Sequence, residues 1–280
     1  MRAMILAAGL GTRLRPLTDD RPKALVEVGG RTLLEITLCR LRSFGVDEVI
    51  VNAHHFSAMI VEFLKDHHNF DLKVEVSLEE DLLDTGGGLK KAAHFFSGSD
   101  EPFLLHNVDV LSTIDLRRMV RFHQESNALA TLAVQQRASS RQLLFDQSGQ
   151  LCGRRSGSAE ERFDPRSQNR DRGHPHLPIS QNQDRGHPHL PRSQSRDLGH
   201  PDIEPLAFSG IHVLSPRIFS MLEEEGAFSI VPAYLRLAAQ GEKILAFRAD
   251  ESYWRDLGRP ESLRQAEAEI AGGRTSSRIS

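Results

Sequence analysis

The apolar run AMILAA (3–8) stops at a loop, GLGTRLRPLTDDRPKAL (9–25), that holds two glycines, three arginines and a lysine. Helical spacing follows: Leu34, Leu38 and Leu41 share one face, and Thr32 with Glu35 matches a capping box at the helix start. This is a β-loop-α unit, and it recurs. EVIVNA (48–53), LKVEVSL (72–78) and FLLHNVDV (103–110) read as strands, with helical patterns over 56–66 and around Leu116, Met119 and Val120. Strands separated by helices require right-handed crossovers, so the expected fold is a single α/β domain: a mostly parallel, mixed sheet with helices on both faces.

Beyond LATLAV (129–134) a hairpin is expected over 142–153, turning at Ser148-Gly149, and there the pattern breaks. SQNRDRGHPHLPI (167–179), SQNQDRGHPHLPR (180–192) and SQSRDLGHP (193–201) are near-copies in tandem. Rich in Pro, Arg, Asp, Gln and His, they offer little to bury, and residues 154–205 are expected to be a disordered, low-complexity insertion. The five histidines of the copies, His174, His176, His187, His189 and His200, are candidate ligands for a soft divalent metal, weighed against a plain surface loop. Regular structure is expected to resume with a strand at 206–214, a helix at 230–239, a strand at 243–249 and a helix at 260–270, ahead of a frayed tail at 271–280.

Composition excludes several classes of function. With 35 basic against 38 acidic residues the net charge is -3, so no overall basic field points to nucleic acid. Gly11, Thr12 and Arg13 cut the first apolar run short of a secretory signal, and no stretch approaches the roughly 20 apolar residues of a membrane span. Cys39 and Cys152 lack metal-site spacing and fit a reducing compartment. A cytoplasmic protein with a local anion site is expected.

In an open parallel sheet, ligands bind beyond the carboxyl ends of the strands. Four such places carry chemistry. Gly9 and Gly11 allow close backbone approach to an anion, with charge from Arg13, Arg15 and Lys23. The loop is no P-loop, lacking Gly-Lys-Ser/Thr, and Leu14 stands where a dinucleotide fingerprint needs its third glycine. DTGGGLKKA (84–92) places three glycines at the opening of a helix, suited to a flat ring or a phosphate. Asp109 ends an otherwise apolar strand, where a carboxylate needs a cation such as magnesium. Asp256, in YWRDLG (253–258), follows a short aromatic strand.

Taken in order, LAAGLGTRLRPLT, RPKAL, TGGG, NVD, FSGIHV and WRDLG resemble the nucleotidyltransferases that activate sugar 1-phosphates, over about 1–153 and 206–270. The short chain looks most like N-acetylmuramate-1-phosphate uridylyltransferases and mannose-1-phosphate guanylyltransferases. The resemblance implies a Rossmann-like fold of the nucleotide-diphospho-sugar transferase type, with 1–153 as the nucleotide-binding portion and 206–270 completing the sugar and metal side. It implies that Gly11, Thr12 and Arg13 hold the triphosphate of an NTP, UTP or GTP, that Ala8 and Gly9 lie near the base, and that Lys23 contacts the phosphates. Arg13 and Lys23 would be the catalytic cations. Gly87 would frame the base, Asn107 and Gly210 would face the sugar or ribose, and Asp109 with Asp256 would hold Mg²⁺.

Two departures stand out. Val108 occupies a position where the family usually has a small residue, and is expected to point into packing. The repeats fall where related proteins carry acidic contacts to the sugar, for which Glu160, Glu161 and Glu204 are the candidates here. A catalytically impaired nucleotide- or sugar-phosphate-binding protein is therefore the alternative reading. A nicotinamide-dependent oxidoreductase, motivated by the glycine loop alone, is disfavoured by Leu14 and the crowd of cations.

Overall fold

The computed structural model describes residues 1–163 and 203–272. Its first strand, β1 (Arg2–Leu6), leads through the glycine loop to α1 (Leu33–Ser43), whose start is capped by Thr32 accepting from the Glu35 amide at 3.1 Å. Only half of the capping box forms, because the Glu35 carboxylate turns to Arg31 instead, at 2.7 Å. The alternation continues with β2 (Glu48–Ala53), α2 (Ser57–Asp66), β3 (Lys73–Leu78), α3 (Asp84–Lys91) and β4 (Phe103–Asn107). β4, β1, β2 and β3 pair in that order and all in parallel, as crossover connections demand. Leu6 stands opposite Asn52 on one side and Asn107 on the other.

The strand expected over 103–110 divides in two. β4 stops at Asn107, the chain turns at Val108-Asp109, and β5 (Val110–Ser112) leaves the main sheet to form a ribbon with β12 (Trp254–Asp256). Two backbone bonds set this corner: Val108 N–H donates to the Leu6 carbonyl at 3.1 Å and Leu257 N–H to the Asp109 carbonyl at 2.8 Å. Val108 is buried in the core at this corner.

After α4 (Leu116–Ser126) come β6 (Ala130–Gln135), β7 (Arg141–Phe145), β8 (Leu151–Ser156) and β9 (Ala159–Arg162). The break placed after residue 153 therefore comes too early: β8 runs on to Ser156 and β9 returns antiparallel to it, with Arg154 opposite Glu161 and Arg155 opposite Glu160. The strands pair through their backbone ladder with opposite charges facing one another across it, and their side chains are mostly exposed, so apolar periodicity cannot report them. The tandem copies at 167–201 and the tail from 273 lie outside the described residues.

The long strand β10 (Glu204–Leu214) joins the halves of the sheet, pairing antiparallel with β7 through its first residues, with β4 through its last, and with β6 along its other side. Its register with β6 slips between Phe208 and His212, around Gly210 at φ 72°. The chain ends with α5 (Ile230–Ala239), β11 (Ile244–Arg248) parallel to β6, the β12 ribbon and α6 (Pro260–Ala271).

Side chains alternate between two cores, one on each face. Ala3, Ile5, Val49, Val51 and Leu104 meet Leu34, Leu38 and Ile60 of α1 and α2; Met4, Ile50, Phe103 and Leu105 meet Leu89 of α3 and Tyr234 of α5.

Three histidines are buried within this packing. His123 lies between the hydroxyls of Thr131 and Ser215, each at 3.0 Å; Ser215 donates onward to the Ala128 carbonyl, so Nε2 of His123 carries the proton. Burial pushes His106 and His123 down to about 4 and His212 to about 3. All three are neutral in the fold at neutral pH, whereas the unfolded chain takes up protons near 6.5. Stability is therefore full above pH 6.5 and falls as pH drops toward 4, by up to about 2 kcal/mol per histidine at pH 5. Thermal unfolding midpoints should decline over that window and decline less steeply in His123→Gln; a flat profile would contradict the account.

Candidate active site

The site begins where β1 ends. The amides of Ala7 and Ala8 both donate to Asn52 Oδ1, at 2.7 and 3.3 Å, and Asn52 Nδ2 donates to Glu79 Oε1 at 2.7 Å. The other oxygen of Glu79 accepts from the Leu83 amide at 3.0 Å. With Asn52 2% and Glu79 5% exposed, this chain of bonds is shielded from water and fixes the start of the glycine loop relative to the entrance of α3. Neither residue was a sequence candidate. The signal was available in Asn52, a polar residue near the end of an apolar strand, as Asp109 is.

Beyond Ala8 the loop bends sharply. Gly11 sits at φ 64°, and a Cβ there would come within 2.9 Å of Thr18 Cγ2 and 3.1 Å of Lys23 Cβ. Thr18 closes the bend by donating to the Gly11 carbonyl at 2.9 Å, and Leu14 is fully buried beneath it. Gly9, Thr12 and Arg13 remain exposed on the outer side. Of the other loop cations, Arg15 pairs with Asp19 and Arg21 with Asp20, both at the surface.

The fold-back delivers Lys23 onto Asp109. Their ion pair is direct, with only 13% and 12% of the two side chains exposed. Asp256 reaches the same place from β12, its carboxylate accepting from the Gly258 amide at 2.6 Å. Gly258 supplies the clearest measure of how tightly these groups converge. A Cβ on it would lie 2.7 Å from Asp256 Oδ1, 2.9 Å from Arg13 Nη2 and 3.1 Å from Asp109 Oδ2. Residues from the first loop, the β4 corner and the last ribbon thus gather about one point.

Asn107 and Gly210 also meet. At φ 72° and with Asn107 Nδ2 only 2.8 Å from where its Cβ would stand, Gly210 admits no side chain, and the register slip in β10 turns its backbone toward the β4 corner. Both line a cleft of about 770 Å³ that also includes Asp256, Trp254, Glu160 and Glu161. An adjoining cleft of about 950 Å³ shares Asp256 and Trp254 and adds Arg13 and Arg259. Trp254 is fixed by its indole N–H, which donates to the Ser209 carbonyl at 2.7 Å.

Ala8, Gly9, Gly11, Thr12 and Gly87 line neither cleft. The glycine triplet lies near the start of α3, and its missing side chains answer to packing: a Cβ on Gly86 would overlap the Phe228 ring, one on Gly87 the Gly226 carbonyl, and one on Gly88 would crowd Asn52 and Glu79. Phe228 also accepts from the amides of Gly86 and Gly87. The Cα of Gly87 therefore faces protein, and any contact it makes with a base would come from its backbone.

The three acidic candidates for the sugar separate. Glu160 and Glu161 line the first cleft with Asn107, paired to Arg155 at 2.6 Å and Arg154 at 2.9 Å. Glu204 lies in a different cleft and pairs with Arg248 at 2.5 Å. Among the described residues no group of three or more His, Cys, Asp or Glu side chains gathers as a metal cage. Asp109 and Asp256 stand as a pair.

This geometry can be set beside known proteins. Residues 2–143 match the model of the family described as nucleotidyl transferase. The chain is 29% identical over 272 residues to an N-acetylmuramate alpha-1-phosphate uridylyltransferase of Caulobacter vibrioides, covering 96% of each. It is 37% identical over 136 residues to mannose-1-phosphate guanylyltransferase 1 of Arabidopsis thaliana, a match covering 48% of this chain and 38% of that one. Among solved structures it is similar to HddC from Yersinia pseudotuberculosis complexed with GMP-PN, at a TM-score of 0.68, 20% identity and coverage of 96% and 99%. That likeness extends the agreement in fold to nearly the whole chain. With the loop, the corner and the ribbon meeting at one point, and half the chain matched by the family model, the protein belongs to the nucleotidyl transferase family.

Proposed function

We propose that the protein transfers NMP from an NTP, UTP or GTP, to the phosphate of a sugar 1-phosphate, giving an NDP-sugar and pyrophosphate. The observation that carries this reading is the convergence of Arg13, Asp109 and Asp256 at Gly258, with Lys23 on Asp109. The relatives named for uridylyl and guanylyl transfer to sugar 1-phosphates support it.

The nucleophile in such a transfer is an oxygen of the sugar phosphate, which needs no activation by a protein base. It forms a bond to the α-phosphorus of the NTP while the bond from that phosphorus to the oxygen bridging the β-phosphate breaks, and pyrophosphate leaves with the electron pair. Two anions must approach each other in line. The work of the protein is positioning and charge neutralisation. Arg13 and Lys23 face the phosphates, Lys23 exchanging Asp109 for a phosphate oxygen, while the Asn52–Glu79 strap holds the loop amides in place. Asn107 and Gly210 border the space left for the sugar.

Asp109 and Asp256 suit Mg²⁺: two hard oxygen donors stand close together where Gly258 leaves room, and magnesium characteristically takes one or two carboxylates and completes its shell with phosphate oxygens and water. When bound there, the ion would offset the negative charge of the phosphates. We place the protein in the cytoplasm, where nucleotide substrates are available; among the described residues no helix is long and apolar enough to cross a membrane.

The direct test incubates the protein with UTP or GTP and a panel of sugar 1-phosphates and measures pyrophosphate. Release is expected with at least one pair, and none under conditions where a relative is active would overturn the proposal. Nucleotide binding by calorimetry without turnover would favour the impaired-binder alternative. Lys23→Ala and Asp109→Ala should each lower kcat/KM by about 10²-fold or more. Gly258→Ala, which places a methyl group against three charged side chains and must displace them, should lower kcat/KM while leaving the circular dichroism spectrum unchanged. Chelation of divalent ions should stop the reaction and added Mg²⁺ restore it.

A further inference from the structure

Asp256 stands on a slender support. β12 is three residues long, lies outside the main sheet, and pairs with β5, a strand of the same length. A two-stranded ribbon is marginal by itself, so the direction of the carboxylate must be set by the ties around it. Among the described residues no ion pair engages Asp256; its carboxylate accepts from the Gly258 amide. The tolerance is narrow, because Asp256 Oδ1 and Asp109 Oδ2 stand 2.7 and 3.1 Å from one point, where a Gly258 Cβ would be. A small rotation of the ribbon would part them.

Three consecutive residues at the end of β6 supply such ties. Gln135, 7% exposed, donates from Nε2 to the carbonyls of Ala249 and Ser252, each at 2.8 Å, and the Gln136 amide donates to Asp250 Oδ1 at 2.6 Å. Arg137 reaches the ribbon itself. Its guanidinium lies 3.6 Å from the centroid of the Trp254 ring, while Nη2 donates to the Phe208 carbonyl at 2.7 Å. The indole N–H donates to the neighbouring Ser209 carbonyl at 2.7 Å, so the ring is gripped on its face by Arg137 and at its edge by β10. Successive strand residues point to opposite sides: Arg255 turns to α6, pairing with Glu269 at 2.5 Å, while Trp254 and Asp256 share the other side. Holding the ring therefore holds the carboxylate. Burial lowers the pKa of Arg137 and the charge of Asp256 offsets part of that, so the two groups also attract each other.

We propose that Arg137 is a positioning residue: by stacking on Trp254 it sets the direction in which Asp256 faces Asp109, and it does so without touching either substrate. The inference rests on Asp256 serving the proposed transfer, with Asn107 and Gly210 marking the acceptor cleft on the far side of the same ring. An arginine suits this task because its flat guanidinium lies on an indole while its fork still reaches a carbonyl, whereas the compact ammonium of a lysine offers no flat face. Its committed arm also argues against a direct role, since Nη2 is spent on Phe208. The cost of losing the stack is then a wandering carboxylate rather than a missing contact to the sugar or the nucleotide.

The bond from the Gly258 amide to Asp256 reports the carboxylate directly, with no ligand present. Amide hydrogen exchange followed by NMR should show Gly258 exchanging about tenfold faster in Arg137→Met and about fivefold faster in Arg137→Lys, with the amides of β1 unchanged. An unchanged Gly258 rate in both variants would overturn the proposal. So would equal acceleration in β1, which would mark general destabilisation, or full protection in Arg137→Lys, which would show that charge without the stack suffices. In turnover, Arg137→Lys keeps the local charge, so the Mg²⁺ concentration for half-maximal rate should rise about fivefold while saturating Mg²⁺ restores kcat to within about threefold and the KM values for NTP and sugar 1-phosphate stay put. A raised KM for either substrate would place Arg137 on that substrate and overturn the positioning role. If the wild type transfers nothing, the transfer reading fails by itself, and the Gly258 rate still decides whether Arg137 positions Asp256.

Discussion

The parallel pairing of β1 with β2 and β4 is the constraint on which the rest depends. Because Leu6 lies level with both Asn52 and Asn107, the three strands end at one edge and their next residues emerge side by side. Asn52 can then reach back to the amides of Ala7 and Ala8, and the chain after Asn107 can turn at Asp109 beneath the returning loop. A shift of one residue in either pairing would send the apolar side chains to the wrong faces, so the two cores enforce the register that the site uses.

Onto that edge the structure brings groups from places far apart in the chain. The glycine loop contributes Arg13 and Lys23, the β4 corner Asp109, and the last ribbon Asp256. The ribbon is separate from the main sheet, which lets β12 approach from the side, and the slip in β10 opens the space next to Asn107. The stack of Arg137 on Trp254 and the indole bond to Ser209 tie that ribbon to β10, linking the position of Asp256 to the wall of the acceptor cleft.

Much of this was legible in the sequence. Alternating apolar runs and helical spacing gave the α/β class, the residues that follow strands gave Lys23, Asp109 and Asp256, and the family resemblance added Asn107 and Gly210; the fold gathers them. What escaped was written in other terms. Asn52 and Glu79 act through bonds to backbone amides, which leave no periodic pattern. The β8–β9 hairpin pairs through its backbone with charged, exposed side chains in place of apolar alternation, so it read as the start of the irregular segment. GGG carried no sign of what packs against it, because the ring and the carbonyl that demand those glycines come from Phe228 and Gly226, far along the chain.

The contact between Lys23 and Asp109 has a consequence for how ligands are felt. Without substrate, the ammonium already has a counterion supplied by the protein, so a phosphate that engages it replaces one ionic partner with another. Exchange leaves the number of ion pairs nearly constant, and the cation adds little to the dependence of nucleotide affinity on ionic strength. The exposed guanidinium of Arg13, which has no ion pair among the described residues, contributes to that dependence more fully. The salt sensitivity of the protein is thereby set by fewer charges than its loop displays.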